Sequence, residues 1–165
     1  MTRRSEATTA PETGAVTELK TRARLRRNAA KAAGEDLRLR DCLNLVAKDA
    51  GFTNWDHARR VLNGEAEVGE DMGTFWYAPR CAGLLNQWFA SYEQARAALQ
   101  ATPRRCFLLP YKRQFMVVED DFIRELGLDP EDAVWVTAAR DMVQAYGSAA
   151  WQELGLARLK APTLK

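Results

Sequence analysis

The sequence predicts an α+β fold: an N-terminal three-helix module followed by a small mixed module with a short, mostly antiparallel sheet and packed helices. Three observations predict it. Apolar residues recur at helical spacings of three and four over the first third of the chain. Two β-rich runs, 106–111 and 114–118, flank the dipeptide Lys112-Arg113 and read as a hairpin. The chain has 165 residues, 47% hydrophobic and 28% charged, enough to bury a core without metals or disulfides.

The elements follow in order. Residues 1–16 are rich in Thr, Glu and Pro, lack periodicity and read as a disordered tail. A helical pattern runs from about Thr17 to Ala33, and Gly34 stands where a C-cap glycine belongs. A second helix is expected from about Leu37 to Ala50, on Leu39, Leu43, Val46, Ala47 and Ala50, with Gly51 closing it. Thr53 or Asn54 can cap a third, holding Trp55, Ala58, Val61 and Leu62. The basic three-helix module is thus 17–64. Residues 65–73 carry turn-type and acidic residues and read as a linker, with an α+β module over 74–165.

In that second module Thr74–Ala78 is short and aromatic and reads as a strand that Pro79 stops. Leu84–Ala90 fits either strand or helix. Ser91 caps a helix that Thr102-Pro103 ends. Pro110 puts its strand at a sheet edge or ends it. Asp121 can cap a short helix closed by Gly127. Asp129-Pro130 opens a helix expected to run through Trp135 to Val143, and Ser148 caps a last one. No repeat period is visible.

Composition narrows the function classes. No run of about 18 apolar residues predicts a membrane span, and the N-terminus has no apolar stretch of a secretory signal. Three widely spaced cysteines, Cys42, Cys81 and Cys106, favour reduced thiols in a cytosol. The net charge of +2 hides an asymmetry: residues 1–62 carry 13 Lys and Arg against 8 Asp and Glu, and residues 63–165 carry 11 against 14. Either the basic front meets a polyanion or the two halves attract each other.

The strongest local feature is the first helix. Six basic residues and no acid lie between Glu18 and Glu35. At about 100° per residue, Lys20, Arg24, Arg27 and Lys31 share an arc of about 60°. Such a stripe does not serve the helix, since cations in the first turns oppose its dipole. Phosphate contact is one reading. A solvated face, or one docked on Glu119, Asp120 and Asp121, is the other. Ala47-x-x-x-Gly51 has helix-turn-helix spacing, but His57 and Arg60 fall where the motif wants apolar residues. A compact three-helix module with Trp55 as its central packing residue fits better. His57, the only histidine, reads as a surface helix residue.

Leu19-Lys20, Gly34, Leu37, Leu43-Asn44-Leu45-Val46-Ala47 and Gly51-Phe52-Thr53-Asn54-Trp55 resemble the small helical module of bacterial glyoxalase-related proteins over residues 19–62. The polar segment usual before the second helix is replaced by Arg38–Cys42, and with one histidine no metal-ligating set carries over. The resemblance implies a shared accessory module in a bacterial protein and no lyase activity.

Aromatic density marks the second module. Tyr111, Lys112, Arg113, Gln114 and Phe115 make a hairpin tip that could stack on bases, and the alternative is an aromatic-rich core. Enzyme signatures are mostly absent: no metal-ligand cluster, phosphate-binding glycine loop, G-x-S-x-G or H-E-x-x-H. Cys81 is the one cysteine expected to be exposed, with Arg80 lowering its pKa. Glu119, Asp120 and Asp121 read as a solvated helix start rather than a Mg²⁺ site.

The expectation is therefore a non-enzymatic cytosolic bacterial binding protein with no cofactor and no metal. Lys20, Arg24, Arg27 and Lys31 would contact DNA or RNA phosphates, Arg38 and Arg40 would extend the patch, and Asn54, His57, Arg59 and Arg60 would reach base edges. The rear module would serve homo-oligomerisation or a partner. The alternative is an adaptor whose basic helix grips an acidic protein partner, and the third reading is a small enzyme.

Overall fold

The computed structural model describes residues 12–67 and 69–161. The chain is α+β, as predicted. Helices α1 (Gly14–Ala32), α2 (Leu39–Asp49) and α3 (Trp55–Leu62) come first. There follow β1 (Gln87–Phe89), α4 (Tyr92–Ala101), β2 (Phe107–Tyr111), β3 (Gln114–Val118), α5 (Asp120–Glu125), α6 (Ala133–Thr137) and α7 (Ala149–Lys160). No described helix is long and apolar enough to cross a membrane.

Capping side chains set most helix starts. Thr13, Asn54, Ser91 and Ser148 each accept a hydrogen bond from a backbone N–H of the first turn. Of the expected tail, residues 1–11 lie outside the described residues. The rest is a correction, because the helix begins at Gly14. Thr13 is fixed by Asn63 Oδ1, which accepts from both its N–H and its hydroxyl at 3.2 Å, and Ala15 and Val16 are buried. At α5 the cap residue is Glu119, without a side-chain cap bond, rather than Asp121.

The sheet has order β1-β3-β2 and is antiparallel throughout. The hairpin stands in the expected register, Phe107 opposite Val118 and Tyr111 opposite Gln114. Of residues 84–90, Gln87–Phe89 form the strand β1 and none is helical. Both faces of the sheet are covered, so alternate residues enter two apolar clusters. Phe107, Leu109, Met116 and Val118 join the main core, while Leu108, Phe115 and Val117 pack with Ala95 of α4. Pro110 sits on the edge strand β2, and the pairing shows why it is tolerated. Leu108 N–H points outward and donates to Arg140 O at 2.8 Å. Pro110, two residues on, faces the same way, where no partner strand asks for its missing donor.

Three further expectations are corrected. Thr74–Ala78 is not a strand. Its aromatics do enter the core, with Phe75 stacked on Phe52 and Trp76 edge-on to Trp151. The backbone of this segment is pinned to the first module and the hairpin tip instead of a sheet: Thr74 N–H donates to Gly51 O, and Met72 and Lys112 N–H donate to Lys112 and Gly73 carbonyls. The helix expected over 130–143 is only Ala133–Thr137, capped by Asp132. It stops because Ala139 and Arg140 take left-handed backbone, φ 54° and 53°, and residues 140–142 then pair with Leu108. The third concerns the centre of the helical module. Trp55 is only partly buried, and the fully buried tryptophans are Trp76, Trp135 and Trp151.

Residues 65–73 do not separate two cores. One apolar cluster runs from Ala15 of α1 to Leu159 of α7. Tyr146 hydroxyl donates to Val61 O at 2.7 Å and accepts from Ala66 N–H at 3.0 Å, and Trp151 Nε1 donates to Leu62 O. Arg22 of α1 reaches Leu159 O at 2.7 Å.

Candidate nucleic-acid interface

The structure divides the basic residues of the front half into two groups. One group is spent inside the molecule. Arg59 of α3 is held by Asp56 at 3.0 Å and Glu65 at 3.2 Å, and these carboxylates raise its pKa. Arg60 pairs with Glu70 at 3.2 Å. Asn54 Oδ1 accepts from His57 N–H at 2.9 Å, as the cap of α3. His57 Nδ1 accepts from Thr53 N–H, so its Nε2 carries the proton and donates to Asp71 O at 2.6 Å. Of the expected base-reading set, His57, Arg59 and Arg60 therefore staple α3 to the strap at 65–71, while Asn54 caps α3 itself. Asp56, three residues before Arg59 on α3, was open to a reading by spacing, whereas Glu65 and Glu70 follow at irregular intervals in the strap.

The second group is on α1 and the start of α2. Arg24, Arg27 and Lys31 are exposed, and none pairs with an acid among the described residues. They span about 10 Å of helix axis. Lys20 departs from the expected set, since its ammonium pairs with Glu12. Arg26, on a different side of α1, pairs with Asp49 at 2.9 Å. Arg38 and Arg40 are exposed at the start of α2, without an acidic partner among the described residues, and a six-residue connection, 33–38, separates α2 from the end of α1. Exposed Glu35 and Asp36 lie in that connection. Glu119, Asp120 and Asp121 do not receive α1. Glu119 holds Arg104 at 3.4 Å, Asp120 holds Arg105 and Arg124, and Asp121 Oδ1 accepts from Phe122 N–H.

The hairpin tip does not form the expected platform. Tyr111 and Phe115 lie on opposite faces of the sheet. Tyr111 is edge-on to Trp88 and Tyr77, at ring-centre distances of 5.0 and 5.3 Å. Lys112 lies over the Tyr111 ring, and Arg113 donates to Gly69 O at 3.3 Å. Gln114 alone of the polar tip is exposed without such a contact. Cys81, expected exposed, is fully buried, and desolvation raises its pKa rather than Arg80 lowering it. Cys42 and Cys106 are buried too, and all three thiols are unbridged.

Comparison with family models, with curated proteins and with solved structures found no match to this chain.

Proposed function

We propose that the protein is a non-enzymatic bacterial cytosolic binding protein that engages DNA or RNA through its phosphate backbone, using Arg24, Arg27 and Lys31 of α1 with Arg38 and Arg40 of α2. One observation carries this reading. Among the described residues nine arginines pair with acids, whereas the three cations on this face of α1 are exposed and unpaired. Of the three, Lys31 lies in the last turn of α1, where a cation suits the helix dipole, while Arg24 and Arg27 make no ion pair among the described residues; backbone phosphates reward all three. The engagement of His57, Arg59 and Arg60 by the strap and by Asp56 favours backbone contact over base readout through α3. The resemblance of residues 19–62 to an accessory helical module, rather than to a catalytic domain, agrees with a binding role.

The test is fluorescence anisotropy with random-sequence duplex and single-stranded DNA at about 50 and 200 mM salt, comparing wild type with Arg24→Ala/Arg27→Ala/Lys31→Ala. Binding should fall steeply with salt, and the slope of log K against log salt should be shallower in the variant by about three, one per lost phosphate contact. No binding at the lower salt, or identical slopes for both proteins, overturns the proposal. In that event the face is left to an acidic protein partner.

A further inference from the structure

Between the end of α4, residues 102–106 and residues 139–144 lies a cavity of about 350 Å³. It falls within the lower range of small-ligand sites. Four arginines line it, Arg96, Arg104, Arg105 and Arg140, against one lining acid, Asp141. None of these belongs to the α1 face.

The surroundings of each charge differ, and the difference points to a ligand. Asp141 is 2% exposed, and its carboxylate is already satisfied: it accepts from Tyr92 hydroxyl at 2.6 Å and from Val143 and Gln144 N–H at 3.0 Å. Arg96 is fixed as a wall, donating to Tyr92 hydroxyl and Gln144 and standing 3.6 Å from Asp141. Arg105 is clamped by Asp120 and Glu131. Arg104, with its side chain 77% exposed, meets Glu119 loosely at 3.4 Å. Arg140 has no ion pair among the described residues, and its Nε is buried without a hydrogen-bond partner.

A buried, unsatisfied guanidinium donor is costly. Arg140 is also held there by strain. It and Ala139 are consecutive non-glycine residues in left-handed backbone, a conformation that strains an L-residue. The pairing of residues 140–142 with Leu108 enforces that conformation. The fold thus fixes the backbone of Arg140 and places its guanidinium, without an ion pair among the described residues, at the lining of an open space, an arrangement suited to an oxyanion.

We infer that this cavity binds a small phosphate-bearing molecule, with Arg140 as the central contact and Arg104 swinging from Glu119 to close on it. Four guanidinia around one space suit the double charge and several oxygens of a phosphate better than a single carboxylate. A phosphate group fills only part of about 350 Å³. The remainder, between the stem of Leu99, Ala139 and the side chains of Thr102 and Gln144, takes a small polar organic body.

Isothermal titration of the full chain in chloride buffer of constant ionic strength tests this, with inorganic phosphate and glycerol 3-phosphate as probes. Saturable binding at one site is expected. Arg140→Met should weaken it at least tenfold and Arg104→Met severalfold. Arg24→Ala/Arg27→Ala/Lys31→Ala should leave it unchanged, which separates this site from the proposed nucleic-acid face. Should Arg140→Met fail to fold, Arg104→Met decides. Equal affinity for the two probes identifies free phosphate as the ligand, and tighter binding of glycerol 3-phosphate identifies a phosphomonoester. Either supports the site. Absence of saturable binding of both probes by the wild type, or affinity that survives in Arg104→Met and in a folded Arg140→Met, overturns it.

Discussion

Ala139→Gly should stabilise this protein, although it removes a methyl group and adds no contact. Ala139 has φ 54°, in the region where the Cβ of an L-residue crowds the backbone. That conformation costs about 1–2 kcal/mol, and glycine escapes it. Glycine in turn loses more chain entropy on folding, about 0.5–1 kcal/mol. The Ala139 side chain is exposed, so no packing term enters. The net expectation is a gain of about 0.5–1 kcal/mol. For a chain of 165 residues that is a rise in Tm of about 1–4 °C. Urea unfolding would show it as a higher midpoint at unchanged slope. A neutral or destabilising effect at unchanged slope would refute the reasoning, because the strain at residue 139 would then not exist in solution. Relaxing the turn should also loosen the pose of Arg140, so phosphate affinity should fall while stability rises.

Two other substitutions test the junctions that make one core of the chain. Gly51→Ala should destabilise by about 3 kcal/mol, combining left-handed strain with overpacking. A Cβ there would stand 2.6 Å from Thr74 Oγ1 and 2.9 Å from Phe75 N, whereas Gly34→Ala, at similar positive φ but with nothing within 4 Å, should cost only about 1 kcal/mol. Equal urea midpoints for the two variants would sink the argument from the close approach of residues 51 and 74. Tyr146→Phe leaves Ala66 N–H without its partner and should cost about 1–3 kcal/mol. Burial pushes the Tyr146 hydroxyl up to about 12, above its unfolded value near 10. Its contribution is therefore complete below about pH 10 and is lost as pH rises toward 12. The alkaline decline in urea-derived stability should be shallower in Tyr146→Phe, and parallel curves would contradict the assignment.

The parts of the fold that were legible in the sequence are those decided within a few residues. Asn54, Ser91 and Ser148 cap where a short polar side chain precedes a helical period, and the Lys112-Arg113 turn sets the register of β2 and β3 without outside help. The parts that were not legible are decided by distant partners. Thr74–Ala78 has strand composition, but Gly51 and the hairpin tip claim the backbone of this segment. Residues 138–143 continue a helical pattern, yet the outer edge of β2 offers Leu108 as a partner and the helix ends at Thr137. Thr13 looks like part of a polar tail until Asn63, fifty residues on, fixes it.

The same division explains which charges could be read. A stripe of cations on one helix is a local pattern, so Arg24, Arg27 and Lys31 were visible from spacing alone. What a charge does depends on whether an acid reaches it, and that is tertiary. Lys20 has the right spacing and is taken by Glu12, Arg59 and Arg60 are taken by the strap, and Arg105 is taken by Asp120 and Glu131. Arg140 has no pattern to announce it. It follows a helix of five residues, and it meets Arg96 and Arg104 only because the chain turns left-handed at 139 and docks on Leu108. An arginine left unpaired on the surface costs little, because water satisfies it. An arginine with a buried, unpartnered Nε, held by two strained residues, lowers the stability of the fold. Of the two sets of unpaired cations, the second therefore makes the stronger physical demand for a ligand.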